Sequence, residues 1–290
     1  MRLSRASSRK YPAVLEQYDF GYQYDRQDIR YTTWFTGSRE QLQTIVFLGT
    51  VQIGKLPGWI AKSCPENTAV IPGALHWLAK ADGSDIPEFM YAYTEHAFLA
   101  AVAAIPEGKP VNIIADSQAA PSVLGLLAKP TYAKRIRTIV LAQPLGLNTS
   151  YLGSTPAQRL QSFKKRVLQN LRYQVPSLLS DPRLIYNHHL MLKTVGFDND
   201  KSNAQYGAGL AYDATSHLHD VLKAGIKVIV VCGQNDIMFP ASEIRAALAA
   251  KKIDIAVKVV PGVPHSPLAT RHGRKLLQSC FESIAESRLA

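Results

Sequence analysis

Ile113-Ile114-Ala115-Asp116-Ser117-Gln118-Ala119-Ala120 is an apolar, strand-like run that breaks into a turn of small residues and continues as a helix. A serine at such a junction is lifted out of the sheet, where its hydroxyl can act as a nucleophile. The expectation is an enzyme that attacks acyl carbons, provided that a base, an acid and an oxyanion site stand around Ser117.

Outward from this stretch, runs rich in Val and Ile alternate with helical stretches, the pattern of a mostly parallel sheet covered on both faces. Ile29 to Phe35 alternates and reads as an early antiparallel strand; Thr44 to Leu48 and Ala69 to Ile71 are short apolar strands. Thr94 is expected to cap a helix that runs through Ala97, Leu99 and Val102 to a stop near Gly108. Pro110 to Ile114 leads into Ser117, and Pro121 to Ala128 has the composition of the following helix. Ile136 to Leu141, Lys227 to Cys232 and Ile255 to Val260 are the later strands, and Gly273 to Leu289 closes the chain as a helix. Between Gly146 and Leu222 only helical pieces appear, Ala157 to Tyr173 and Thr215 to Lys223. That interval is too long for an ordinary connection. It reads as a helical cap over the carboxyl ends of the strands, where open parallel sheets bind ligands. The expected organisation is a tail and lead-in over 1–28, a first core part over 29–145, the cap over 146–222 and a second core part over 223–290.

An alcohol needs a base to take its proton, the base needs an acid to hold its tautomer, and the oxyanion needs backbone donors. Asp236, in Gly233-Gln234-Asn235-Asp236-Ile237-Met238-Phe239-Pro240, follows the strand ending at Cys232. His265, in Pro261-Gly262-Val263-Pro264-His265-Ser266-Pro267-Leu268, follows the next strand. Both therefore leave the sheet at the same edge as Ser117. The order Ser117, Asp236, His265 on these elements resembles that of the α/β-hydrolase fold family. Ala115-Asp116-Ser117-Gln118-Ala119 is similar to its nucleophile elbow, with Ala115 and Ala119 where glycine is usual. Phe47-Leu48-Gly49-Thr50 resembles the segment that supplies one oxyanion donor. The resemblance implies an α/β fold, a mostly parallel central sheet flanked by helices with a helical cap. It also implies Ser117, Asp236 and His265 as catalytic residues, and the backbone N–H groups of Gln118 and Thr50 as the oxyanion hole.

The other histidines read as structural. His272 lies in a charged helix start, His188 and His189 lie in the cap, His217 and His219 in its last helix, and His96 opens the helix before the elbow strand. His76 follows the strand ending at Ile71 and is a candidate pocket-border residue. Asp116 adjoins the nucleophile, but alternation turns its side chain away from Ser117, leaving it a secondary role at most.

Composition narrows the function classes. At 290 residues, 47% hydrophobic and 19% charged, the chain can bury a sizeable core. The net charge of +11 includes Arg2, Arg5, Arg9 and Lys10 of a basic, serine-rich start that has no apolar signal region. No stretch has the length and apolarity of a membrane span, and no nucleic-acid motif or zinc spacing appears. Cys64, Cys232 and Cys280 are odd in number and far apart, which argues for a reducing compartment, the cytoplasm. No cofactor is expected. The expected activity is hydrolysis of a carboxylic ester with a hydrophobic acyl group, given apolar cap residues from Tyr151 and Leu152 through Phe163, Leu171 and Tyr173 to Met191 and Leu192. A thioesterase or acyltransferase acting on a carrier-bound chain is the nearest alternative, and the basic cap would suit an acidic carrier protein. An intracellular polyester depolymerase and a non-hydrolytic binding protein on the same fold also stay open.

Overall fold

The computed structural model describes residues 15–24, 27–49, 56–73, 86–178, 210 and 213–289. Eight strands form one sheet: β1 (Leu15–Tyr24), β2 (Gln27–Thr36), β3 (Thr44–Phe47), β4 (Thr68–Ile71), β5 (Val111–Asp116), β6 (Ile136–Ala142), β7 (Lys227–Asn235) and β8 (Ala256–Pro264). Their spatial order is β1-β2-β4-β3-β5-β6-β7-β8. β2 runs antiparallel to β1 and β4, and every other neighbouring pair is parallel. The helices are α1 (Leu56–Ala61), α2 (Ile86–Val102), α3 (Ala119–Leu127), α4 (Pro130–Ala133), α5 (Pro156–Leu178), α6 (Thr215–Lys223), α7 (Ala241–Ala250) and α8 (Arg271–Ser287).

The central strands are buried on both faces, so they read as continuous apolar runs whose alternate residues belong to two different cores. Ile45, Ile113, Ala115, Ile139 and Val230 face a core built with Phe98 of α2, Leu124 of α3, Leu218 of α6 and Ile244 of α7. Val46, Ile114, Val140, Ile229 and Val231 face a second core with Ile60 of α1 and Leu276, Leu277 and Cys280 of α8. This three-layer packing fixes the sheet and directs the exits of β3, β5, β6, β7 and β8 to one edge.

Two local expectations differ from the structure. Thr94 does not cap a helix: α2 spans Ile86–Val102, and Thr94 sits buried inside it, donating a 3.0 Å hydrogen bond to Ser122 Oγ of α3. A threonine satisfied by a neighbouring helix needs no capping role. Residues 15–24, read as lead-in, form β1, which pairs along its full length with β2. Its stretch Glu16-Gln17-Tyr18-Asp19-Phe20-Gly21-Tyr22 contains no Val or Ile, and aromatic packing holds it instead. Phe20 stacks on Tyr31 with centroids 5.7 Å apart, and Tyr18 meets Phe35 edge-on at 5.4 Å. In the expected cap interval, α5 is longer than its sequence pattern suggested, α6 matches it, and no strand occurs among the described residues.

Candidate active site

Ser117 turns the chain from β5 into α3 with φ of +51°, a left-handed conformation that a non-glycine residue adopts only when its surroundings enforce it. Three backbone hydrogen bonds do so. Ser117 N donates to Ala142 O at 2.8 Å, while Ser117 O accepts from Ala120 N at 3.2 Å and Leu145 N at 3.1 Å. Ala115 and Ala119 are both buried, so alanine fills the two places next to the turn without opening it. Residues 111–116 and 119–127 are buried throughout, whereas Ser117 and Gln118 are partly exposed. Gln118 is the N-cap of α3, at the helix end whose first N–H groups lack intrahelical acceptors.

Asp236 and His265 meet. β7 and β8 are neighbours, and a register shift between Gly233 and Asn235 bends β7 just before Asp236. An added Cβ at Gly233 would lie 2.1 Å from Val263 O, so the close approach of the two strands there requires glycine. His265 Nδ1 lies 3.0 Å from Asp236 Oδ2. The other carboxylate oxygen accepts from the backbone N–H groups of Met238 and Phe239, each at 2.9 Å. The carboxylate is thus fixed by its own loop and aimed at the imidazole. Phe239 packs edge-on against the ring, centroids 5.1 Å apart. Burial alone pushes the His265 imidazolium down, but the Asp236 charge and hydrogen bond, with Asp116 behind them, outweigh it and hold the pKa above the usual 6.5.

Beneath the elbow lies a connection that the sequence did not suggest. Asp116 points to the face opposite α3 and is fully buried, with its pKa raised to about 6. Burial dominates that rise; His265, the Gly49 N–H and Gln143 work against it. Asp116 Oδ2 accepts from Gly49 N at 3.3 Å and Oδ1 from Gln143 Nε2 at 3.4 Å. Gln143, itself at φ of +47°, also donates from Nε2 to Ser266 O at 3.2 Å and accepts from Ser266 N at 3.1 Å. Its side-chain amide pairs with one residue of the histidine loop much as a neighbouring strand would. Asp116 and Gln143 therefore link the residue before Ser117, the residue after His265 and the Gly49 segment. The only sequence sign of this was a polar amide at the exit of a buried strand, in Ala142-Gln143-Pro144.

The remaining candidates are placed as follows. Thr50 lies outside the described residues, and so do His76, His188 and His189. His96 stacks on Tyr22 and hydrogen-bonds the Tyr31 hydroxyl at 2.9 Å, a packing role. His272 sits in the first turn of α8, and His217 and His219 lie on α6. Of the apolar residues expected to belong to a cap, Leu152 and Phe163 are buried and Tyr151 is exposed. The side chains of Leu171 and Tyr173, and all of Met191 and Leu192, lie outside the described residues. Among the described residues no helix is long and apolar enough to cross a membrane, and no cluster of His, Cys, Asp or Glu has the makings of a metal site.

No family model matches the chain, and no curated protein matches it in sequence. Solved structures do match in shape. A candidate lipase from Acinetobacter baumannii AYE superposes with a TM-score of 0.61 at 14% identity, covering 94% of this chain and 92% of its own. A carboxylesterase from Nitrososphaera gargenis gives 0.55 at 11% identity, with 99% of both chains covered. A thioesterase domain from the curacin biosynthetic pathway gives 0.52 at 13% identity, with 94% and 98% covered. The strand order, the single antiparallel β2, the left-handed Ser117 and these superpositions lead to one assignment: the chain has the α/β-hydrolase fold.

Proposed function

We propose that the protein is a serine hydrolase that cleaves a carboxylic ester with a hydrophobic acyl group through an acyl-enzyme. The observation that carries this is the 3.0 Å pairing of His265 Nδ1 with Asp236 Oδ2 at the sheet edge where Ser117 leaves β5 in a strained turn. Asp236 holds the proton on Nδ1, so the other ring nitrogen, Nε2, is the basic one. His265 takes the Ser117 hydroxyl proton as Oγ attacks the ester carbonyl, and the carbonyl oxygen becomes an oxyanion. The N–H groups of Gln118 and Thr50 are the donors assigned to that oxyanion. Collapse of the intermediate breaks the carbon–oxygen bond to the alcohol, which leaves with the proton carried by His265. Water then repeats the sequence on the acyl-enzyme and releases the acid.

Ser117→Ala should abolish turnover of p-nitrophenyl esters and labelling by a fluorophosphonate while leaving the thermal transition in place. Undiminished hydrolysis, or a label mapped to another residue, would sink the proposal. An acyl-thioester on an acidic carrier protein is the second reading, favoured by the net charge of +11 and the likeness to a thioesterase domain. Parallel assays on short and long p-nitrophenyl esters and on acyl-thioesters separate the two. Cys64, Cys232 and Cys280 are all free, which supports a reducing, cytoplasmic setting.

A further inference from the structure

One face of α5 reaches both loops of the Asp–His pair. Phe163, Arg166 and Asn170 are spaced three and four residues apart, so they share a side of the helix. Phe163 is buried and stacks on Phe239, centroids 6.4 Å apart, and Phe239 in turn packs on the His265 ring. Arg166 makes a forked pair with Glu243 of α7, Nη1 to Oε2 at 2.8 Å and Nη2 to Oε1 at 2.7 Å. Asn148 Nδ2 donates to the same Oε2 at 2.8 Å, which anchors the glutamate from a third side. From this braced position Arg166 Nη1 also donates to Met238 O at 3.1 Å, within the loop whose N–H groups hold Asp236. Asn170 is buried and donates from Nδ2 to His265 O at 3.1 Å; its Oδ1 has no partner among the described residues, so the amide is engaged by the histidine loop alone.

We propose that Arg166 and Asn170 are positioning residues through which the cap helix holds the acid loop and the histidine loop in register. The inference rests on Asp236 and His265 acting as the acid–base pair. A guanidinium fork matches a carboxylate in a fixed plane, so it transmits the position of α5 to Met238 more rigidly than a single ammonium would. Asn170 acts one turn further along, on the backbone of the histidine itself. Neither side chain need touch the substrate. A shift of α5 would loosen both ends of the Asp236–His265 hydrogen bond at once, so cap seating and base strength are coupled.

Arg166→Lys and Asn170→Ala test this, with Arg166→Met as the harsher variant and thermal melting to confirm that each folds. On a short p-nitrophenyl ester, which leaves most of an acyl pocket unused, kcat should fall about 10- to 100-fold while KM changes little. Arg166→Lys should recover part of the loss seen in Arg166→Met. The second readout needs no turnover: NMR titration of the His265 ring in the intact protein. Its midpoint should move down in Arg166→Lys and Asn170→Ala, because the Asp236 charge and hydrogen bond, with the Asp116 charge, hold it up against burial. If folded variants keep both the wild-type kcat and the wild-type His265 midpoint, the proposal is overturned. If the wild type turns over no ester yet the midpoint still moves, the positioning role stands and the hydrolase reading is what fails.

Discussion

Asp116→Asn should change how stability varies with pH, and the structure sets both the sign and the size. The Asp116 carboxyl titrates near 6 in the folded chain against an ordinary 3.8, chiefly because it is buried. At 1.36 kcal/mol for each pH unit, that difference amounts to about 3 kcal/mol. Between these two values the folded protein holds a proton that the unfolded chain has released, so its stability falls as the pH rises. The full contribution is present below about pH 4 and is gone above about pH 6. Asparagine has no proton to lose, so its stability carries no such slope. Urea unfolding of both proteins at half-unit steps from pH 4 to 7 gives the difference in free energy, wild type minus variant. That difference should drop by about 3 kcal/mol across the window. Its absolute offset is immaterial, since asparagine also alters the hydrogen bonds to Gly49 N and Gln143. A difference that stays flat or climbs with pH would show that Asp116 is ionised at low cost, and the account of a buried acid with a raised pKa beneath the elbow would be wrong.

Gly233→Ala should destabilise the fold by about 1–3 kcal/mol and cut ester turnover, because a Cβ there meets Val263 O and must part β7 from β8 beside Asp236 and His265; wild-type chemical denaturation by the variant would refute this. Gln143→Leu leaves the buried Ser266 N–H without its acceptor and should cost about 1–3 kcal/mol, read as a lowered thermal midpoint; an unchanged midpoint would remove the clamp from the account. For the wild type, kcat/KM on an ester should fall as the pH drops through a midpoint above 6.5, since only neutral His265 accepts the serine proton. That midpoint should move down in Asp116→Asn, which removes one of the charges favouring the imidazolium. A limb centred below 6.5 in the wild type would contradict the electrostatics of the site.

The parts of this protein that the sequence announced are those set by local pattern. Lys227 to Cys232 reads as a buried strand, and Pro261-Gly262 and Asn235-Asp236 mark the loops that leave the sheet. Strand exits on a parallel sheet share an edge, so the sequence alone places the loops that carry Ser117, Asp236 and His265 on one side. The 3.0 Å approach of His265 to Asp236 follows from β7 and β8 being neighbours. β1 escaped because its stability comes from cross-strand aromatic pairs with Tyr31 and Phe35, partners that periodicity within the strand does not reveal. Thr94 was misread for a related reason: a hydroxyl that suits a helix cap equally suits a bond to Ser122 on a neighbouring helix. Gln143 and Asn170 were missed because amides carry no signature of their own. Their meaning lies in the backbone atoms of Ser266 and His265, which stand 123 and 95 residues away in the chain.

Those long connections also explain why a costly buried acid is tolerated next to Ser117. Each Asp116 oxygen has a donor, Gly49 N for one and Gln143 Nε2 for the other, so the ion is desolvated without being stranded. A neutral apolar residue of the same volume would spare the desolvation but leave Gly49 N and Gln143 Nε2 with one acceptor fewer, in a region with almost no exposed surface. It would also remove a negative charge that favours the imidazolium of His265. Above the His265 midpoint, on the proposed mechanism, that imidazolium forms as the serine proton is transferred, so a second carboxylate behind the ring acts when charge has been separated. Asp116 thus costs the resting fold stability at neutral pH and favours the charged form of His265. A residue chosen for packing alone would do neither.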